Sequence, residues 1–159
     1  NLKPTIEKRL QEIKNKSFLE KPKVLALKWV DPLFTSGHWV PEMITIAGGT
    51  NLVSKIGEHS RKMTLDEAIK SQPDFVIVMP CGFETDRAVS EYNESLGKNQ
   101  SWNNLSAVKN NHVFAVDANS YFSKPSIRTV TGIEILAKIL HPDIFIDIQV
   151  PENSYKVIE

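Results

Sequence analysis

Thiols are nearly absent from this sequence: Cys81 is its single cysteine. No disulfide can therefore form within the chain, and the redox compartment stays open. An excess of charge of either sign is absent too, because nineteen Lys plus Arg balance nineteen Asp plus Glu. No net field draws the chain toward nucleic acid or an anionic membrane. The sequence has neither a signal peptide nor an apolar run long enough for a membrane span. Residue 1 is Asn rather than Met, so the chain reads as trimmed, and the missing targeting segment says little about location. Gly48-Gly49 fits neither the dinucleotide fingerprint nor the phosphate loop and is better read as a helix stop. His38, His59, His112 and His141 stand far apart, with no His-x-x-x-His pair and no second Cys, so no metal site is expected.

What is present is a globular composition. The chain has 159 residues, of which 41% are hydrophobic and 24% charged, enough for one domain with its own core and too little for two. Residues 4–16 place Ile6, Leu10 and Ile13 on one stripe among charges, which predicts a helix. Thereafter apolar runs of strand length alternate with helical patterns. The predicted strands are Val24 to Trp29, a short one near Asn51 to Val53, Phe75 to Met79 and Val113 to Val116. A helix carrying Val40, Met43, Ile44 and Ala47 ends at Gly48-Gly49. Thr64-Leu-Asp-Glu67 has the spacing of a capping box and starts another. A third places Ala88, Val89, Tyr92 and Leu96 on one side, and the last runs from about Ser126 to Leu140. Residues 97–106 read as a loop, and the tail from Asp143 has no legible pattern. The fold class is α/β: an open, mostly parallel sheet with helices on both faces.

In such a sheet ligands bind beyond the carboxyl ends of the strands, where loops and helix starts converge. Those ends carry Trp29, Phe34, His38 and Trp39 after the first strand; Cys81, Gly82 and Phe83 after the third; and Tyr121 and Phe122 after the fourth. Aromatic faces with a few polar groups suit a large, flat, partly polar ligand. Trp29 and Phe83 can equally well complete the core, since aromatic residues are commonly buried. Cys81 at a strand-to-helix turn has the placement of an activated thiol, and also that of a small buried residue. The third strand ends in Met79-Pro80 where a phospho-acceptor receiver domain would need an acid.

Three stretches, LKWVDPLFTSGHWVPEMITIAGG (27–49), TLDEAIKSQPDFVIVMPCGF (64–83) and VFAVDANSYFSKPSIRTVTGIEILAKILHP (113–142), resemble a known family. It is that of the substrate-binding proteins of ABC importers for cobalamin, haem and ferric siderophores, and the likeness is to its cobalamin-type branch. Members have two α/β lobes joined by a long rigid helix, with the ligand between them. The resemblance implies that residues 1–21 are the end of that helix and a linker, and that residues 22–159 are the carboxyl-terminal ligand-binding lobe. The amino-terminal lobe would then be missing. Trp29, Phe34, His38, Trp39, Cys81, Gly82, Phe83, Tyr121 and Phe122 would form one wall for cobalamin or a related metal chelate.

The resemblance further implies an extracytoplasmic protein, periplasmic or a cell-surface lipoprotein, with no catalytic cofactor. Asp66, with Glu67 beside it, would be the surface acid that meets permease arginines; both acids also suit the start of a helix. The chain departs from some cobalamin-binding members at Ser60, where they place a pocket Trp. Two rival readings follow. A haem or ferric-siderophore lobe would turn basic residues such as Arg61, Lys124 or Arg128 toward an anionic ligand, and an enzyme would use Cys81 with a His such as His38.

Overall fold

Strands whose consecutive residues are all apolar can be stable only if both faces of the sheet are covered, and this is how the chain folds. The computed structural model describes residues 2–124 and 126–159, with side chains from Thr5 onward. β1 (Lys23–Val30), β4 (Phe75–Val78) and β5 (Val113–Val116) run parallel, with Leu25 opposite Val76 and Val76 opposite Val113. Val24, Ala26, Ile77, Met79 and Val116 enter one core, while Leu25, Leu27, Val76, Val78 and Ala115 enter the other. The two-residue alternation of the backbone thus sorts each run into two layers.

The sheet has six strands in the order β2-β1-β4-β5-β6, with β3 (Thr50–Asn51) pairing parallel to the start of β1. β2 (Leu33–Thr35) folds back antiparallel on β1, and β6 (Tyr155–Val157) lies antiparallel on β5. The tail that carried no sequence pattern therefore supplies an edge strand.

Over the first face lie α1 (Leu2–Lys14), α2 (Val40–Ile46), the one-turn α7 (Ala118–Tyr121) and α8 (Thr129–Leu140). Gly132 brings α8 close to the segment after β5, since a Cβ there would stand 3.0 Å from Tyr121 O and 3.1 Å from the Phe122 ring. Ile13 of α1 is fully buried, and Arg9 pairs with Glu134 of α8 and donates to Thr131 Oγ1 at 3.0 Å. Glu134 is buried, so its carboxylate depends on that partner. At the end of α2, Gly48 adopts φ +92° with Phe18 and His141 packed against it.

Over the second face lie α3 (Leu65–Lys70), α4 (Thr85–Glu94), α5 (Gln100–Asn103) and α6 (Ser106–Lys109). Here the expected loop at 97–106 is corrected. A 3-10 turn at Leu96–Lys98 and two one-turn helices occupy it, with Asn99 Oδ1 capping α5 by accepting from Trp102 N–H at 3.0 Å. Elements this short do not complete a hydrophobic period, and their outward residues are polar, so the segment reads as a loop. Trp102 is 0% exposed, and its indole N–H donates to Tyr92 Oη at 2.6 Å. Burial pushes the Tyr92 phenol above its ordinary value, and the indole bond opposes that shift.

Two smaller corrections concern helix starts. Thr64 Oγ1 accepts from Glu67 N–H at 3.1 Å as the capping box requires, but the Glu67 carboxylate pairs with Arg61 instead of returning to Thr64. The last helix begins at Thr129, after a turn in which Ser126 Oγ accepts from Arg128 N–H at 3.1 Å.

Candidate ligand-binding face

The carboxyl ends of β1, β4 and β5 open on one edge of the sheet, and the segments that follow them are fastened to one another. The Trp39 indole N–H donates to Phe122 O at 3.2 Å, joining the start of α2 to the segment after β5. Gly82 N–H donates to Ser123 Oγ at 3.0 Å, and Asn119 N–H to Phe83 O at 3.0 Å, joining the segments after β4 and β5. Phe83 meets Trp29 edge to face at 5.3 Å, and the Arg87 guanidinium stands 3.9 Å from the Phe83 ring centre. Such cross-bracing fixes ring positions before any ligand arrives.

Two adjoining hollows result. The smaller, about 40 Å³, is lined by Ser36, His38, Trp39, Met79, Phe122 and Ser123 among others. The larger, about 310 Å³, is lined by Trp29, Phe34 and Ser60. Lys28 and Cys81 line both. Of the residues expected at the site, Trp29, Phe34, His38, Trp39, Cys81 and Phe122 are therefore brought together around these hollows. Phe83 backs Trp29, and Gly82 is exposed beside Cys81 at φ +80°. Tyr121 packs against the core and lines neither hollow. Cys81 is exposed, and among the described residues no base is hydrogen-bonded to its sulfur.

Segment 57–63 completes the rim. Gly37 has no side chain, and a Cβ there would stand 2.6 Å from Glu58 O and His59 C, so this chain crosses directly over it. His38 adopts φ +59°, with its N–H donating to Glu58 O at 2.6 Å and its carbonyl accepting from Gly57 N–H at 3.2 Å. The His38 and His59 rings consequently meet at 4.8 Å. The other two histidines serve the fold: His112 Nδ1 lies 3.1 Å from Asp74 O, and His141 Nε2 lies 2.8 Å from Gly48 O. No group of three or more His, Cys, Asp or Glu suited to a metal ion occurs among the described residues.

Lys28 is the lining residue that sequence reasoning missed; Ser36 and Ser123, which follow the strands, and Ser60, where the resemblance places a pocket Trp, also line the hollows. Lys28 lies inside an apolar run, where nothing in the sequence marks it as facing a ligand. The pairing of β1 with β2 shifts register between Leu27 and Trp29, so Lys28 and Trp29, although adjacent, both reach the larger hollow. Ser36 Oγ is buried without a hydrogen-bond partner. The basic residues singled out from the sequence, Arg61, Lys124 and Arg128, line neither hollow.

Arg61 instead belongs to the start of α3. Thr35 N–H donates to Arg61 O at 2.9 Å and Met63 N–H to Leu33 O at 2.9 Å, so this segment runs beside β2 and brings α3 to the same edge as Phe34. The hydrogen bond from Arg61 holds the Glu67 carboxyl below its ordinary value. Asp66 is exposed and has no ionic partner among the described residues.

The periplasmic binding protein family profile matches residues 3–120. The high-affinity heme uptake system protein IsdE of Staphylococcus aureus is 27% identical over 112 residues, which is 67% of this chain and 38% of that protein. The chain thus spans less than half the length of the curated relatives it matches. Among solved structures, an ABC transporter substrate-binding protein from Listeria monocytogenes superposes with a TM-score of 0.77 at 20% identity, covering 89% of this chain and 56% of that one. S. aureus IsdE complexed with heme gives 0.74 at 20% identity, covering 88% and 56%. The periplasmic vitamin B12 binding protein BtuF of Vibrio cholerae gives 0.66 at 20% identity, covering 84% and 50%.

Proposed function

The chain belongs to the periplasmic binding protein family, and from that premise we propose that it is the carboxyl-terminal lobe of an ABC importer's substrate-binding component. On this reading it captures a metal chelate of the tetrapyrrole class outside the cytoplasmic membrane and presents it to the permease. A single observation carries the reading: the segments after β1, β4 and β5 are bolted into one shallow face that sets Trp29, Phe34 and Trp39 around adjoining hollows. Sites that enclose a ligand of this size bury most of its surface, whereas this face is open, so it acts as one wall and a second lobe supplies the other. Residues 1–21 would be the end of the joining helix and its linker, docked by the Arg9–Glu134 pair.

Between tetrapyrroles, the sequence resemblance favours a corrinoid. A haem-like ligand is the second reading, supported by the haem-uptake relative and by a cation, Lys28, in the wall. Titrating the chain with cyanocobalamin, followed by tryptophan emission, and with haemin, followed by the Soret band, tests the face itself. Saturable binding with Kd of roughly 100 μM is expected for at least one, because half of the enclosing surface is lost. No saturable signal from either would overturn the reading.

Asp66 is the proposed contact for permease cations. In cells carrying the whole importer, Asp66→Ala should reduce uptake by about tenfold, the scale of one charge-assisted contact at an interface, while the Kd measured on this chain is unchanged. A weakened Kd would move Asp66 from the docking surface to the ligand site.

A further inference from the structure

β1 reads Lys-Val-Leu-Ala-Leu-Lys-Trp-Val, and Lys28 is the charged residue set within its apolar stretch. Its side chain is half-buried, and its ammonium donates to Ser60 Oγ at 3.2 Å. A serine hydroxyl is a neutral partner and occupies one of three donor directions. No carboxylate forms an ion pair with Lys28 among the described residues. A half-buried ammonium without a counter-charge loses hydration that nothing in the chain returns in full.

The surroundings point the same way. Lys28 lies in the wall shared by both hollows, and neither hollow is lined by Asp or Glu. The polar side chains around it are Ser36, whose buried hydroxyl lacks a partner, His38, Ser60, Cys81 and Ser123. All of these can donate a hydrogen bond. The register shift between Leu27 and Trp29 places the cation and the Trp29 ring on one hollow, so an apolar plate can lie on the ring while a substituent at its edge meets the ammonium. The cations that the sequence singled out stand elsewhere: Arg61 is held by Glu67, and Lys124 and Arg128 line neither hollow.

We propose that Lys28 receives a carboxylate arm of the bound chelate, so that this lobe selects carboxylate-bearing metal chelates over neutral, amide-decorated ones. The inference rests on the reading of this face as a chelate-binding wall, takes the haem-like ligand over the corrinoid, and goes beyond that reading by naming the charge of the ligand and the residue that reads it. If Lys28 merely extends its ammonium to solvent, as lysines at strand ends do, the charge of the ligand makes no difference.

The test compares haemin with its dimethyl ester, which keeps the ring and the iron and removes both carboxylates, in the same detergent buffer. Wild-type chain should bind haemin about tenfold more tightly than the ester, the scale of one charge-assisted hydrogen bond. Lys28→Met, which keeps the aliphatic stem, should lower haemin affinity to that of the ester and leave the ester unchanged. Competition by ferric citrate then distinguishes the source of the arm: displacement of haemin assigns it to a ferric hydroxycarboxylate chelate, and its failure assigns it to a porphyrin. Equal binding of haemin and ester by wild type would overturn the role of Lys28 while leaving the chelate wall standing, and this arm needs no variant to fold. Saturable binding of cyanocobalamin alone would overturn it too. Binding of none of these probes would remove the wall and the inference together.

Discussion

Trp102→Ala is expected to destabilise the fold by about 3–5 kcal/mol, the cost of emptying a fully buried aromatic site. The indole is 0% exposed, packs at an angle of 64° on Tyr92, and donates to its hydroxyl. Truncation opens a cavity in the core beneath α4 and leaves the Tyr92 phenol without its donor. Urea unfolding measures the loss, and Trp102→Phe should recover the packing part of it, leaving about 1 kcal/mol. Since Trp102 lies on the second face of the sheet, haemin or cyanocobalamin affinity at the edge should stay as in wild type. A loss under about 1 kcal/mol would show that segment 96–109 does not seal this core. The same burial gives a sign for alkaline pH. Tyr92 has its folded value raised, so its contribution is complete below the unfolded value of about 10 and is lost as pH rises through the folded one.

Gly37→Ala is the second large effect, and it falls on the site. The added methyl would meet backbone atoms, with Glu58 O and His59 C at 2.6 Å, and backbone cannot swing aside as the end of a side chain can. Segment 57–60 must move away, taking with it the His38–Glu58 bond and the Ser60 hydroxyl that Lys28 donates to. A cost of about 1–3 kcal/mol is expected by urea unfolding. Ligand affinity should fall by about tenfold or more, because the cation and the ring beside it lose their fixed arrangement. Gly57→Ala is the control: a Cβ there meets nothing within 4 Å, although φ +82° strains it, so stability falls without the loss at the hollows. Equal affinity in Gly37→Ala and wild type would show that segment 57–60 does not shape the face.

Much of the architecture is legible in the sequence alone. The runs Val24 to Trp29 and Phe75 to Met79 are apolar at every or nearly every position, and such runs require cover on both sides. The helices with a full apolar stripe, α1, α4 and α8, were legible because each completes more than one period. Segment 96–109 was not, because helices of four residues and a 3-10 turn leave no period to read. Nor was β6, three residues whose pairing with β5 depends on the return of a distant tail.

The site divides along the same line. Aromatic residues following the strands were identifiable because topology alone puts strand ends together in a parallel sheet. The alternation of apolar runs with helical stripes determined the α/β class and the two-sided core, and the strand ends mark the edge on which Trp29, Phe34, His38, Trp39, Cys81 and Phe122 gather. Tertiary structure alone decided which rings turn outward: Tyr121 packs inward and Trp102 is sealed on the opposite face. It also decided that Glu67 is engaged by Arg61 while Asp66 is not, and that Lys28 lines both hollows. The physical reason is distance along the chain. Periodicity and turn chemistry act over a few residues and are written locally, whereas a register shift between two strands or a carbonyl from segment 57–60 over Gly37 exists only after remote segments have met.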